Sequence, residues 1–279
     1  MKYLITGGTG TFGRAFMGRL LKTDGVDEIR IFSRDEAKQW EMKHSVKDDR
    51  VRYYIGDVRN KSSLRDAIMG VDVVFHAAAM KHVWSCEQFP EEAFKTNVDG
   101  TLNVIDMAIV YRVGKFILLS SDKAVFPTGV MGMTKALAEK AMIAKSRNSL
   151  DTTLCAVRFG NIIDSRGNVI DVWNGQRLRG EALTVTEPSA TRFFMTTEEA
   201  MNTVAHAVMI GASGEITLPE CKAASMMELH EAYKSLWDYD RVEFTGMTAG
   251  EKLHEWLDDE TCSWHAKKLT KSELKGMIV

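Results

Sequence analysis

Asp122 and Lys123 stand side by side at the end of an apolar run, 115–120, directly behind Ser121. A carboxylic acid next to an amine is a general acid–base pair, provided that burial moves both groups towards neutrality. Lys135 follows twelve positions after Lys123, within a stretch, 130–147, whose pattern predicts a helix. Met131 precedes it by one helical turn and takes no part in proton chemistry, because a thioether is not a useful base. The plainer alternatives are a surface ion pair for Asp122-Lys123 and an ordinary helix-face lysine for Lys135.

Such side chains need a scaffold, and the chain up to about residue 160 supplies one. Short apolar runs at Lys2–Thr6, Glu28–Ser33, Val51–Ile55, 71–76, 115–120 and 153–158 read as buried strands. Helical patterns separate several of them, notably 91–112 and 130–147. Apolar strands alternating with helices predict an α/β fold with a doubly wound parallel (Rossmann) sheet over 1–160. Beyond it, 168–180, Thr197–Ile210 and Met226–Trp237 look helical, with strand-like pieces at 183–186 and 214–218. Residues 161–279 are expected to form a smaller C-terminal substrate-binding lobe, partly interleaved with the sheet. The polar, lysine-rich stretch 261–279 reads as a frayed terminal helix, with Leu269, Leu274 and Ile278 available for docking.

Immediately after the first strand comes Thr6-Gly7-Gly8-Thr9-Gly10-Thr11-Phe12-Gly13. Gly7 permits a tight turn, Gly10 lets backbone approach a pyrophosphate, and Gly13 brings helix and strand together, while the helix N-terminus faces the anion. This predicts a dinucleotide. The second strand ends in Ser33-Arg34, and Arg34 can pair with a 2′-phosphate, so NADP is favoured over NAD. A solvent-facing arginine is the alternative. Asp57 and Val58, after the third strand, are placed for the adenine. Ala77, Ala78 and Ala79, after the fourth, are placed for the nicotinamide ribose and the phosphates. Lys81, on the same loop, is within reach of cofactor or substrate, or is an exposed loop lysine.

The bulk numbers bound the rest. A chain of 279 residues that is 45% hydrophobic and 27% charged is an ordinary globular protein, and its net charge of −2 argues against a nucleic-acid-binding surface. Its 4 cysteines form no C-x-x-C pair, and Cys262 and His265 have no second pair to complete a metal site. No apolar run approaches a membrane span, and the first strand starts at residue 2. A cytoplasmic enzyme with reduced thiols, and without metal or membrane partner, is the expectation.

Taken together these motifs resemble the extended short-chain dehydrogenase/reductase superfamily. Within it, the sequence is similar to the soluble UDP-N-acetylglucosamine 4,6-dehydratases of surface-sugar synthesis, especially the inverting kind. The matching residues include Thr6–Gly13, Phe32-Ser33-Arg34-Asp35-Glu36, Ala79-Met80-Lys81-His82-Val83 and Lys95-Thr96-Asn97-Val98. Ser120–Lys123, Arg158-Phe159-Gly160-Asn161, Ser165-Arg166-Gly167, 191–196 and 250–255 complete the set. Trp84, Asp171 and Thr248-Ala249 depart from the usual pattern and bear on the fit of the nucleotide or sugar.

The resemblance implies a reaction without net redox change. Hydride leaves C4 for NADP as the 4-hydroxyl loses its proton, water is lost across C5 and C6, and hydride returns to C6. It implies Lys123 as the base at C5, Asp122 as the acid for the departing 6-hydroxyl, and Lys135 as a contact to the nicotinamide ribose. Met131 stands where most relatives carry a tyrosine base. Ser121 is the expected substitute, relaying the proton to Lys135 or solvent, or else it only closes a turn. Asn161, Arg166 and Arg192 are candidates for the UDP-sugar, and Glu251 for its ribose. Each has an ordinary lobe-organising contact as its alternative. A homo-oligomer associating through 91–112 and 130–147 is expected. An epimerase or reductase on the same fold, and a non-catalytic NADP-binding regulator, are the competing readings.

Overall fold

Continuous apolar runs make strands here because helices cover both faces of the sheet they build. The computed structural model describes Met1–Val279. Its strands are β1 (Lys2–Thr6), β2 (Glu28–Ser33), β3 (Val51–Ile55), β4 (Val73–His76), β5 (Lys115–Ser121), β6 (Thr153–Phe159), β7 (Asn161–Ile162), β8 (Leu183–Val185), β9 (Thr191–Met195), β10 (Ile216–Thr217), β11 (Lys222–Ser225) and β12 (Val242–Phe244). Seven of them form one sheet in the order β10-β6-β5-β4-β1-β2-β3, every pairing parallel. The order reverses between β1 and β4, and ligands of such sheets bind at the carboxyl ends beside that reversal. Thr6 pairs with His76 and His76 with Leu118, which brings the ends of β1 and β4 level beside β5.

Two cores sandwich the sheet. On one face Phe16, Met17, Ile117 and Val157 pack with Met201 and Val204 of the helix Thr197–Ile210. On the other, Val74, Phe116 and Leu118 pack with Val104 and Ile105 of Gly100–Val110 and Ala138 and Met142 of Val130–Ser146. The helix from the C-terminal part and strand β10 therefore belong physically to the sheet.

Residues 91–112 do not make one uniform helix. Pro90–Phe94 and Gly100–Val110 are α-helical, and Lys95–Asp99 between them is a π turn. Such a turn inserts an extra residue and re-aims its side chains. Asn97 in this turn is buried and grips the loop after β4, accepting from Met80 N at 2.8 Å and donating to Met80 O at 3.0 Å. Its amide also donates to Thr134 Oγ1 at 3.0 Å, tying that loop to the helix that carries Lys135.

The remaining segments build a smaller layer. Strands β11-β9-β7 form one sheet and β12-β8 a pair, around a core of Trp173, Phe194, Leu229, Tyr233 and Leu274. Strands β9 and β11 lack a sequence signature of alternation: all of β9 is buried, and β11 is the tetrapeptide Lys-Ala-Ala-Ser. The terminal segment corrects the expectation of fraying. Lys271–Ile278 is a helix with a reciprocal cap between Thr270 and Glu273, and Glu273 also pairs with Lys222 of β11. Leu274 is 1% exposed and Leu269 closes the same core, so apolar burial outweighs the polar composition. No helix is long and apolar enough to cross a membrane.

Replacing Leu274 by Ala is expected to cost about 2–4 kcal/mol in urea unfolding. Ser272→Ala, at an exposed position of the same helix, is expected to change stability by less than about 0.5 kcal/mol. Equal effects would mean that the helix does not dock.

Candidate active site

The glycine loop is shaped by what a side chain would strike. Gly7 has φ 64°, and a Cβ there would lie 2.7 Å from Ala78 N on the facing loop. At Gly13 a Cβ would lie 2.5 Å from Gly8 Cα, so helix and turn touch through backbone. The helix Thr11–Leu20 begins at Gly10 with no side-chain cap. Its first N–H groups need an outside acceptor, and a diphosphate supplies one. This cradle fits a dinucleotide. Beneath it, Thr6 Oγ1 is hydrogen bonded to His76 Nδ1 at 2.7 Å, and His76 Nε2 to Thr101 Oγ1 at 3.0 Å. Burial, with a contribution from Lys135, drives the His76 pKa down to about 3, so the ring is neutral. Ala77 N donates to Thr6 O at 3.1 Å, which sets Ala77, Ala78 and Ala79 alongside the loop. Phe12 stacks on Phe159 with ring centres 5.3 Å apart, packing the helix start against the end of β6.

At the end of β2 the two candidates differ. The Ser33 hydroxyl is buried and accepts from Gln39 Nε2 at 3.1 Å. The Arg34 side chain is 57% exposed and 3.6 Å from Asp57, whose firmer partner is Arg59 at 2.7 Å. Burial raises the Asp57 carboxyl, but the bonds from Arg59 outweigh it and hold the group below its ordinary value. The acid that follows, Asp35, caps the helix Glu36–Ser45 through Lys38 N at 2.9 Å. Arg34 is therefore the available charge at this strand end. Val58 is buried, and its carbonyl accepts from Asn103 at 3.0 Å.

The acid–base groups converge just beyond β5. The Asp122 side chain is fully buried, accepting from Ser121 Oγ at 2.8 Å and from Lys123 Nζ at 3.1 Å through Oδ1, while Oδ2 has no partner. Lys123 is 23% exposed and also donates to Asn161 Oδ1 at 3.0 Å. A further carboxylate, Glu255, lies 3.4 Å from Lys123 Nζ and pairs with Lys252 at 2.7 Å. Burial opposes the Lys123 charge, but Asp122 and Glu255 overcome it and raise the pKa. For Asp122 burial wins over Lys123, and with Glu255 nearby the carboxyl is raised. For Glu255 burial loses to Lys123 and Lys252, and the carboxyl is lowered. Two carboxylates that share one ammonium are thus pushed apart.

Lys135 is buried, and its Nζ donates to Leu119 O at 2.7 Å. Desolvation, only partly offset by Glu139, lowers its pKa to about 8. Met131 is packed with Cys86 and Ala93, its side chain apolar among apolar neighbours. A side chain at Gly132 would collide with the Lys123 carbonyl, so the helix start abuts the acid–base turn through backbone.

The outlying candidates fall into two groups. Asn161 joins the cluster, and Arg192 is buried beside it, with Nη1 donating to Thr191 O at 2.9 Å and Leu253 O at 3.2 Å. Lys81 instead reaches across to the Arg166 carbonyl at 2.7 Å, while the Arg166 side chain is exposed. Glu251 accepts from Thr248 N at 3.0 Å, closing its own turn. Glu255 and Lys252 were not singled out from the sequence. They lie in the quoted motif 250–255, but nothing local in it points to a lysine 132 positions away.

The lowered Lys135 pKa fixes the sign of a stability test. Its folded value lies below the unfolded one, so the unfolded chain binds more protons between about pH 8 and 10.5 and wild-type stability gains with rising pH. Relative to Lys135→Met, ligand-free wild type is expected to gain about 3 kcal/mol across that window, read by urea unfolding. No change in the difference would mean an ordinary, solvated lysine.

Residues 3–274 match the family described as polysaccharide biosynthesis protein. A UDP-glucose 4-epimerase of Rickettsia canadensis is 45% identical over 260 residues, covering 91% of this chain and 76% of its own. The protein of that name from Rickettsia prowazekii is 45% identical over the same shares. Among solved structures, Pen from Bacillus thuringiensis superposes with a TM-score of 0.94 at 33% identity, over 99% of this chain and 96% of that one. The dTDP-glucose 4,6-dehydratase DesIV of Streptomyces venezuelae, with NAD and TYD bound, superposes with a TM-score of 0.86 at 22% identity over 100% and 96%, a likeness of fold. With nearly its whole length matched, the chain belongs to the polysaccharide biosynthesis protein family and has the Rossmann-type fold of the short-chain dehydrogenase/reductases.

Proposed function

We propose that the protein is an NADP-dependent UDP-N-acetylglucosamine 4,6-dehydratase that inverts C5, working in surface polysaccharide synthesis. The observation that carries this reading is the Asp122–Lys123 pair, its carboxylate fully buried, at the carboxyl end of β5, two strands along the sheet from β1 and its glycine loop. Bound NADP would supply the hydride chemistry, a reversible acceptor between C4 and C6 of the sugar. Residues 1–160 hold it, with Arg34 on the 2′-phosphate and Lys135 on the nicotinamide ribose. Residues 161–279, with Asn161, Arg166, Arg192 and Glu251, hold the UDP-sugar, and Lys81 reaches over from the first part.

The side chains then move protons. Lys123, once it has released its ammonium proton to solvent, takes the C5 proton as a free amine, and Asp122 gives one to the departing 6-hydroxyl, which leaves as water. Ser121 supplies the function that Met131 lacks. Its hydroxyl donates to Asp122, whereas Lys135 is engaged by the Leu119 carbonyl, so the relay runs towards Asp122 rather than Lys135. The 4-hydroxyl proton passes to Ser121 Oγ as the Ser121 proton passes to Asp122, and that proton later leaves with the 6-oxygen. The transfers close with one proton released to solvent by Lys123 and one taken from solvent when C5 is reprotonated from the opposite face.

A second reading is C4 epimerisation, favoured by the name of the 45% identical relatives, UDP-glucose 4-epimerase. Asp122 speaks for dehydration, because an epimerase returns hydride to C4 and needs no acid for a departing hydroxyl.

Incubation with UDP-N-acetylglucosamine in deuterated water, followed by NMR, is expected to show a 4-keto-6-deoxy product with deuterium at an inverted C5. Interconversion of UDP-glucose and UDP-galactose without loss of oxygen would establish the epimerase instead. NADP binding without turnover of any sugar nucleotide would leave a regulator. For the proton path, Asp122→Asn is expected to lower kcat by about 100-fold or more, and Ser121→Ala to slow reduction of NADP in a single turnover by at least about 10-fold. An unaltered rate in Ser121→Ala would remove Ser121 from the path.

A further inference from the structure

The Asp122–Lys123 pair does not stand alone, and its third member comes from a distant part of the chain. Glu255 is 2% exposed and approaches Lys123 Nζ to 3.4 Å through one oxygen, while the other is 2.7 Å from Lys252 Nζ. Its backbone is fixed as well, since Glu255 N donates to Ser263 Oγ at 2.9 Å and that hydroxyl is hydrogen bonded to Thr191 Oγ1 at 2.7 Å. Lys252 is itself bound at both ends of the cluster, donating to Val125 O at 2.7 Å and Asp122 O at 3.4 Å. The charged groups that face this site are Asp122, Lys123, Lys252, Glu255 and Arg192.

Two carboxylates flank one ammonium in this arrangement, and they are not equivalent. The outer oxygens of both are buried without a hydrogen-bond partner, but that of Glu255 has a second cation, Lys252, 2.7 Å away, whereas that of Asp122 has none. An extra proton is therefore best accommodated on Asp122, where it neutralises a buried carboxylate that has a single cation beside it, and not on Glu255, where it would leave Lys252 unpaired.

We propose that Glu255 is a positioning residue that assigns the acid: its charge, anchored by Lys252, counters Lys123 so that Asp122 holds the proton destined for the leaving group. The assignment rests on the dehydratase reading for its purpose, but not for its electrostatics. Glu255 need not touch the sugar. With it present, Asp122 can be neutral while Lys123 keeps a counterion. Without it, Asp122 becomes the sole carboxylate beside the Lys123 ammonium and is held ionised. The tendency is already visible in the resting protein, where burial and the Glu255 charge together raise Asp122 while Lys252 and Lys123 lower Glu255.

The test is an infrared titration of the carboxylic acid band of Asp122, assigned by its loss in Asp122→Asn and measured on the full-length protein without substrate. In wild type the band is expected to persist to a pH above that of an ordinary aspartic acid, and in Glu255→Gln to vanish at least about one pH unit lower. Glu255→Asp, which keeps the charge, is expected to restore most of the shift. In turnover of UDP-N-acetylglucosamine, Glu255→Gln is expected to move the acid limb of kcat, below which Asp122 cannot accept the Ser121 proton, downward by the same amount, with KM changed less than about threefold. An Asp122 that titrates normally in wild type would overturn the proposal even if Glu255→Gln fails to fold, and so would an unmoved band in that variant. A shifted band in a protein that turns over no sugar nucleotide would sink the dehydratase reading and leave the role of Glu255 intact.

Discussion

Four charged side chains, Asp122, Lys123, Lys252 and Glu255, are packed where the carboxyl end of β5 meets the segment 250–255. Removing a charge from water is costly, and each of these is tolerated only because the next one compensates it. The cluster therefore constrains everything around it. The turn after β5 must present Asp122 inward, the 250–255 segment must return to the sheet, and Asn161 must reach over from β7. A single missing partner would leave a buried charge exposed to nothing. Stability is spent here on an arrangement whose value lies in distinguishing two carboxylates.

The cofactor side is built differently, with backbone in place of charge. Gly7, Gly8 and Gly13 allow main chain to pass main chain where any Cβ would collide. The buried Thr6–His76–Thr101 chain of hydrogen bonds holds the ends of β1 and β4 against the helix of Gly100–Val110 without introducing charge. The π turn at Lys95–Asp99 extends that rigidity to the 77–82 loop and, through Thr134, to Lys135. A neutral, rigid half thus lies beside a charged, interlocked one.

Most of the sheet was legible from sequence because its central strands are short apolar runs separated by helical patterns. The glycine loop, the Arg34 position and the Asp122-Lys123 pair were visible for the same reason: each is a local pattern with a local physical meaning. Legibility failed where meaning is not local. The terminal helix looked polar and frayed, yet Leu274, with Met277 and Ile278 packed against the same core, anchors it. The break in 91–112 was hidden because a π turn uses the same residues as an α-helix. Glu251 was favoured over Glu255 although the two lie in one motif, and their different partners, Thr248 N and Lys123, depend on how that motif is folded back.

What the amino-acid sequence by itself determined is the alternation of strands and helices, the glycine-rich turn and the chemical identities of the titratable groups after β5. Only the tertiary structure decided how those groups are shared out: which carboxylate faces a second cation, which serine reaches an acid, and which lysine is taken up by a carbonyl. The reason is that propensity and glycine geometry act over a few neighbouring residues, whereas the proton affinity of a buried group is set by charges and dielectric within a few ångströms in space, wherever in the chain they originate.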